Sequence, residues 1–199
     1  MKALIFAAGK GTRLKPFTDF HPKALAVVNN VPLLERNIKY LQSFGINEFV
    51  INVHHFGEQI IEFLKEKENF GAKIDISDEK DELLETGGGL KKNKKYLENE
   101  ENFLIMNADI LTDLDIIALI NFHLSHQNIA TLAVSDRASS RKLLFNEEMI
   151  LRGWVNKTTG ETKLAEHNHN FKEMAFSGIH CVNSAIFGKI KRTGKFSIM

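Results

Sequence analysis

Apolar and polar residues along the first two thirds of the chain follow two periods, and together these predict strands that alternate with helices. Four apolar runs are each long enough for one buried strand, 3–8, 48–53, 102–106 and 129–134, and the segment 73–77 alternates like a further strand. Three segments between them have the periodicity of amphipathic helices: 32–44, 58–67 and 114–126. Since strands that alternate with helices form a parallel sheet with helices on its faces, we expect a three-layer α/β fold.

The pattern changes after Asp136. Three short runs alternate in part and have polar segments between them: 141–146, 151–155 and 162–166. Runs of this kind predict antiparallel strands. We therefore expect one domain over residues 1–199, with a mostly parallel half at 1–135 and an antiparallel half at 136–199.

Composition excludes several classes of protein. The formal net charge is only +1, so no nucleic-acid surface is indicated. The single cysteine, Cys181, cannot form an internal disulfide, which is typical of a reducing compartment. No apolar run approaches the roughly 18 residues of a membrane span. We expect a cytoplasmic protein that binds neither nucleic acid nor membrane.

A glycine loop follows the first apolar run and is the strongest candidate for chemistry. Gly9 and Gly11 leave backbone N–H groups free to face an anion. Arg13 and Lys23 add two positive charges near that loop. Backbone dipoles and fixed cations together can hold a polyphosphate without rearranging, so the segment predicts a triphosphate site.

Other glycine motifs fit this loop poorly. A dinucleotide fingerprint requires a third glycine or alanine where Leu14 stands, and an acid at the end of the second strand, which instead ends Asn52-Val53. A P-loop requires a different glycine spacing. A plain structural turn would leave the nearby cations unexplained.

The segment 9–25 resembles the signature of the sugar-1-phosphate nucleotidyltransferases. It reads Gly-x-Gly-Thr-Arg-Leu-x-Pro-x-Thr and then Pro-Lys-Ala-Leu. The resemblance implies a Rossmann-like, mostly parallel sheet with an antiparallel sugar-binding portion, the nucleotide-diphospho-sugar transferase fold. It also implies that the nucleoside triphosphate is held by Ala8, Gly9, Gly11, Thr12, Arg13 and Lys23.

A second glycine segment, Glu85 to Leu90, contains three glycines at a predicted helix start. Such a segment can let a flat ring lie on bare backbone, although by itself it is equally typical of a flexible loop. It resembles the base-binding loop of N-acetylmuramate-1-phosphate uridylyltransferases and of relatives similar to mannose-1-phosphate guanylyltransferase. The resemblance implies that Thr86, Gly87 and Gly88 lie beside the base.

The fourth predicted strand, 102–106, ends at Asn107-Ala108-Asp109. Ligands of open parallel sheets bind beyond the carboxyl ends of strands, and a carboxylate there can hold Mg²⁺. The alternative is a helix cap, which is how we interpret Asp113 and Asp115. In the family the aspartate at this strand end binds metal, so the resemblance assigns Mg²⁺ to Asp109.

The sugar-binding candidates rest on weaker signals. The segment from Phe176 to Ile179 resembles the family's Phe-x-Gly-Ile strand, which implies that the backbone at Gly178 approaches the sugar. Asn107 is the second candidate. His54 is the third, although a histidine at a strand end is more often simply solvated. His167 and His169 suggest a metal site, but no third ligand is near them in the sequence.

The predicted reaction is attack of a sugar 1-phosphate on the α-phosphorus of a nucleoside triphosphate, with pyrophosphate leaving. The catalytic residues would be Arg13, Lys23 and Asp109. We expect UTP and N-acetylmuramate 1-phosphate as partners, with GTP and mannose 1-phosphate as the second choice. A catalytically weak sugar-nucleotide-binding protein and a dinucleotide-dependent oxidoreductase are the alternatives.

The family usually has a second metal-binding aspartate in a segment similar to Asp-Ile-Gly-Thr-Pro. Residues 179–199 contain no acidic residue. The resemblance therefore predicts a shortened family member with Asp109 as its single metal carboxylate and with weak or absent turnover. An apolar edge left by the missing segment would favour a homodimer.

Overall fold

Eleven strands and six helices are found in residues 1–80, 82–165 and 170–198, the part of the chain that the computed structural model describes. His167 and His169 lie outside these residues. The strands are β1 Ala3–Phe6, β2 Val27–Val28, β3 Val31–Pro32, β4 Glu48–Val53, β5 Lys73–Asp78, β6 Asn102–Asn107, β7 Ala130–Ser135, β8 Arg141–Phe145, β9 Leu151–Asn156, β10 Thr162–Leu164 and β11 Lys172–Asn183. The helices are α1 Leu33–Gln42, α2 Gly57–Glu66, α3 Glu85–Lys92, α4 Lys94–Leu97, α5 Ile116–His126 and α6 Ile186–Lys189.

The first of two compact units comprises residues 1–131 and 180–198. Its strands follow the order β11, β6, β1, β4, β5, in which β1 pairs in parallel with both β4 and β6, and β4 with β5. The predicted α/β fold with a mostly parallel sheet is confirmed. No helix among the described residues has the length and apolar character that crossing a membrane requires.

The second unit comprises residues 132–179 and is antiparallel. In it β8 pairs with β9 and with β11, and β9 pairs with β10. The predicted antiparallel portion is therefore present. Strand β11 is twelve residues long, and its residues from His180 on belong to the first unit. The division of the chain into halves at 1–135 and 136–199 stays a prediction.

Helix boundaries follow local chemistry. The side chain of Asp115 accepts a hydrogen bond from Ala118 N at 3.0 Å, which caps α5 and confirms the helix-cap interpretation of that aspartate. Pro32 lies one residue before α1 because it pairs with Val27 in the β2–β3 hairpin. The apolar face predicted for α1 is buried, at Leu33, Leu34, Asn37, Ile38 and Leu41.

The core of the first unit lies on the central strands. Leu4 of β1, Val50 of β4 and Ile105 of β6 are fully buried and belong to one cluster with Phe103 and Leu90. Burying each such side chain stabilises the fold by about 1.5–3 kcal/mol. Because both faces of these strands are covered, their apolar runs are nearly continuous rather than alternating.

Residues 194–198 pack on the first turn of α3. The carbonyl of Phe196 accepts hydrogen bonds from Gly87 N at 2.9 Å and Gly88 N at 3.2 Å, and Phe196 N donates to Leu84 O at 3.1 Å. These contacts satisfy two N–H groups of a helix start that have no partner within the helix. A Cβ at Gly87 would overlap the Phe196 ring, and one at Gly88 would overlap the carbonyl oxygen of Gly194.

Replacing Gly87 by alanine should therefore destabilise the protein. The added methyl must displace the Phe196 ring, and overpacking of this kind costs about 1–3 kcal/mol. Urea unfolding measures the change. The control is Gly188→Ala, because a Cβ at this α6 position meets no atom within 4 Å. Truncating the ring in Gly87→Ala/Phe196→Ala should make the glycine substitution less costly than in the wild-type background. Equal stability of Gly87→Ala and wild type would contradict the packing argument.

A buried polar network surrounds His123 of α5. Its Nε2 lies 3.0 Å from Asn102 Oδ1, which also accepts from Asn183 Nδ2, so Nε2 carries the proton. Its Nδ1 accepts from the Thr131 hydroxyl at 2.9 Å. Burial lowers the pKa of His123, and burial lowers the pKa of His180 in β11 to about 4. Both imidazoles are therefore neutral in the folded protein at pH 7.

Stability should fall in mild acid. An unfolded histidine has a pKa of about 6.5, so below that pH the unfolded chain binds more protons than the folded one. The free energy of unfolding should decline as the pH falls from about 6.5 towards 4, with His180 contributing up to about 3 kcal/mol.

Chemical unfolding between pH 7 and 4.5 tests this expectation. His180→Gln should have a shallower decline than the wild type, whereas His126→Gln, which changes an exposed histidine of α5, should keep the wild-type slope. Parallel curves for wild type and His180→Gln would contradict the assignment.

Candidate active site

The first glycine loop, residues 9–14, begins three residues after the end of β1. Ala8 is buried, whereas Gly9 has open space around it and the side chains of Thr12 and Arg13 are exposed on a short 3-10 turn. The exposed positions leave room for a ligand directly beyond the carboxyl end of the strand. This is where ligands bind in open parallel sheets.

Gly11 is required by the close approach of the neighbouring segment. Its φ is 61°, and a Cβ there would lie 2.8 Å from Lys23 Cβ and 2.9 Å from Thr18 Cγ2. The buried Thr18 also donates its hydroxyl to Gly11 O at 3.0 Å. The loop is thus fixed against the backbone that carries Lys23.

Lys23 and Asp109 meet at this loop. The ammonium Nζ of Lys23 donates to Asp109 Oδ2, and the two side chains are 29% and 34% exposed. Partial burial weakens screening by water, so the pair attracts more strongly than a surface pair does. The contact brings together two predicted catalytic residues that are 86 positions apart in the chain.

Asp109 also fits a magnesium ligand. Its half-exposed carboxylate already faces one cation, and Mg²⁺ is usually held by one or two carboxylates together with phosphate oxygens and water. Within the described ranges there is no group of three or more His, Cys, Asp or Glu side chains that could hold a metal by itself. This donor set suits an ion that arrives with a triphosphate rather than one bound in a protein cage.

Asn37 of α1 fixes the strand end that carries Asp109, and sequence reasoning missed this role. Its Nδ2 donates to Ala108 O at 2.9 Å, and Ala108 N donates to Phe6 O at 3.0 Å. The side chain of Asn37 is buried. The available signal was a polar residue on the otherwise apolar face of a helix.

The second glycine turn, residues 84–89, is where Thr86, Gly87 and Gly88 were predicted to contact a base. In the structure the ring that packs on Gly87 is Phe196, and the Thr86 hydroxyl accepts from Ile198 N at 3.1 Å. The glycines at 87 and 88 therefore have a structural reason of their own. Contact of this turn with a base stays a prediction.

The three sugar candidates lie in different places. Asn107 is the last residue of β6, two positions before Asp109. His54 directly follows β4, and its Nδ1 donates to Glu79 O at 2.8 Å. Gly178 lies within β11 in the second unit, with a φ of 81°. Their contact with a sugar stays a prediction.

Asn52 and Glu79 were not assigned any role from the sequence, yet both are buried between the two glycine segments. Asn52 Oδ1 accepts from Ala7 N at 2.8 Å, and Asn52 Nδ2 donates to Glu79 Oε1 at 2.8 Å. The other carboxylate oxygen, Oε2, accepts from Leu84 N at 3.0 Å. An amide inside an otherwise apolar strand was the signal that could have found this pair.

Comparison with known proteins bears on the family to which the chain belongs. A family model described as nucleotidyl transferase matches residues 2–143. The probable mannose-1-phosphate guanylyltransferase 2 of Oryza sativa subsp. japonica is 31% identical over 195 residues, which cover 96% of this chain and 52% of the relative. The N-acetylmuramate alpha-1-phosphate uridylyltransferase of Neisseria meningitidis serogroup B is 40% identical over 118 residues, covering 59% and 51%.

A solved structure supports the same fold. HddC from Yersinia pseudotuberculosis, complexed with GMP-PN, has a TM-score of 0.78 and 23% identity, and the match covers 98% of this chain and 82% of that one. The chain spans about half the length of the curated relatives it matches. Since the family model alone covers well over half of the residues, the chain belongs to the nucleotidyl transferase family.

Proposed function

We propose that this chain is a Mg²⁺-dependent sugar-1-phosphate nucleotidyltransferase. It would join a nucleoside triphosphate to a sugar 1-phosphate and release pyrophosphate. The observation that carries the proposal is the contact of Lys23 with Asp109 beside Gly11. This arrangement offers a phosphate-binding backbone, a cation and a metal ligand at one strand edge.

Positioning and charge stabilisation suffice for this reaction. An oxygen of the sugar 1-phosphate forms a bond to the α-phosphorus, and the bond from that phosphorus to the bridging oxygen of the β-phosphate breaks. The electron pair leaves with pyrophosphate. The exposed Arg13 would hold the β- and γ-phosphates, and Lys23 would neutralise the charge that grows on the α-phosphate.

The ion pair gives Lys23 a defined starting position. In the free protein Asp109 holds the ammonium close to the glycine loop, so the cation is in place before a substrate arrives. Asp109 would hold Mg²⁺, which would neutralise phosphate charge. Preorganised charges of this kind lower the barrier because they need little rearrangement during the reaction.

The preferred substrates are UTP and N-acetylmuramate 1-phosphate. The resemblance of the second glycine turn to the uridylyltransferases and the name of the Neisseria meningitidis relative support this choice. The name of the Oryza sativa relative supports GTP and mannose 1-phosphate as the second choice. The base would lie beside Thr86, Gly87 and Gly88, and the sugar beside Asn107, His54 and Gly178. We expect the reaction to take place in the cytoplasm.

Pyrophosphate release tests the function. The chain is incubated with Mg²⁺, each of five common nucleoside triphosphates and a panel of sugar 1-phosphates. Because Asp109 is the single predicted metal carboxylate, we expect slow release, and the fastest with UTP and N-acetylmuramate 1-phosphate. At least tenfold faster turnover with GTP and mannose 1-phosphate would establish the second choice. Triphosphate binding without any release would indicate a sugar-nucleotide-binding protein.

Lys23→Ala should lower kcat by about 10²–10³ and change KM less, because the lysine meets charge that develops in the transition state. Arg13→Ala should chiefly raise the KM for the triphosphate. Steady-state kinetics separate the two effects.

The matched control is Lys39→Ala, which removes the lysine of another ion pair, with Glu35 on α1. We expect its kcat to stay within about twofold of wild type, as for surface substitutions away from a site. An unchanged kcat in Lys23→Ala would remove the proposed mechanism.

A further inference from the structure

Three consecutive hydrogen bonds connect the two glycine segments through the interior of the first unit. Ala7 N donates to Asn52 Oδ1, Asn52 Nδ2 donates to Glu79 Oε1, and Leu84 N donates to Glu79 Oε2. Ala7 lies two residues before the first glycine loop, and Leu84 is the first residue of the second glycine turn. We call this chain of bonds the Asn52–Glu79 relay.

The relay occupies an unfavourable position for charge. Glu79 is fully buried and Asn52 is 2% exposed. Burying a carboxylate costs more free energy than its hydrogen bonds usually return, and apolar replacements of buried charged groups often increase stability. A buried carboxylate at this place is therefore poorly explained by stability alone.

The backbone after the relay also needs support. Glu85 has a φ of 60°, which side-chain-bearing residues adopt only rarely. Leu84, directly before it, is held on both sides, since its N–H donates to Glu79 and its carbonyl accepts from Phe196 N. Gly89 has no room for a side chain because a Cβ there would lie 2.9 Å from Glu79 Oε1. The carboxylate thus contacts the second glycine turn at two positions, Leu84 and Gly89.

We propose that Glu79, acting through Asn52, is a positioning residue that holds the two glycine segments in a fixed position relative to each other. The base and the triphosphate of a single nucleotide would then bind to a surface that is already assembled. This inference rests on the proposed function, because it takes the two segments as binding the two ends of the nucleotide. Preorganisation of this kind raises affinity by reducing the cost of ordering on binding.

The chemistry of the pair offers a rescue experiment. In Glu79→Gln the side chain has one acceptor oxygen and cannot accept from both Asn52 and Leu84 in the native geometry. In Asn52→Asp two carboxylates face each other. In the double variant Asn52→Asp/Glu79→Gln all three bonds can form again. The carboxylate introduced at position 52 accepts from Ala7 N and from the amide introduced at position 79, and the oxygen of that amide accepts from Leu84 N.

Calorimetric binding tests the proposal. Glu79→Gln should weaken UTP binding about tenfold, and the double variant should return to within about threefold of wild type. Inorganic tripolyphosphate probes the first glycine loop and uridine probes the second glycine turn. Each should lose less than about twofold in affinity for Glu79→Gln, because the substitution disturbs only the connection between the two segments. Unchanged UTP affinity, or equal losses for UTP and both fragments, would overturn the proposal.

Thr131→Val is the matched control. It removes a buried hydroxyl that contacts His123 and should leave UTP affinity unchanged. Wild type that binds none of the nucleoside triphosphates would refute the proposed function together with this inference. Wild type that binds UTP, alongside Glu79→Gln that binds it equally well, would refute the inference alone.

Hydrogen exchange on the wild type requires no variant and decides the question if Glu79→Gln does not fold. Saturating tripolyphosphate should slow exchange of the Leu84 amide at least about fivefold, because an opening that breaks the relay loosens both segments and the bound anion holds the first one closed. An unchanged Leu84 exchange rate would overturn the proposal.

Discussion

The parallel pairing of β1 with two neighbours is the constraint on which the site depends. Phe6, the last residue of β1, lies opposite Asn52 of β4 and Asn107 of β6. Because parallel strands present their carboxyl ends at one edge of a sheet, the segments that follow must also meet there. The first glycine loop begins three residues after Phe6, and Asp109 lies two residues after Asn107.

The charged side chains near this edge differ in how deeply they are buried, and this difference in burial separates their roles. Lys23 and Asp109 stay partly exposed. Lys23 can therefore leave Asp109 for a phosphate, and Asp109 can leave Lys23 for a metal ion, at a moderate cost in free energy. Glu79 is fully buried and is satisfied by two N–H donors, so it cannot take part in such an exchange. The exposed pair suits chemistry, whereas the buried carboxylate suits the positioning of backbone.

Glycines in the two segments meet different neighbours. Gly9 faces open space, which leaves its backbone accessible to a ligand. Gly11 lies against Lys23, and Gly87 and Gly88 lie against Phe196 and Gly194. The glycines therefore correctly indicated that another group comes close to the backbone. At Gly87 and Gly88 that group is a later segment of the same chain.

The sequence by itself determined the α/β class, the antiparallel portion and the family. The apolar pattern shows which positions are buried. The strands β4 and β6 and the helix α1 have strongly patterned buried positions, so the pattern predicted these elements correctly. The signature from Gly9 to Leu25 is local and could be read directly. Bounds of helices shifted by one or two residues, because caps and the β2–β3 hairpin decide where a helix begins.

Only the tertiary structure decided which distant residues touch. The contact of Lys23 with Asp109 and the relay through Asn52 and Glu79 depend on strand order and register, which no local pattern encodes. The contact of Phe196 with α3 and the assignment of residues 180–198 to the first unit likewise join parts of the chain that are far apart in sequence. Hydrophobic patterning fixes which face of an element is buried, but packing of the whole unit decides what that face meets.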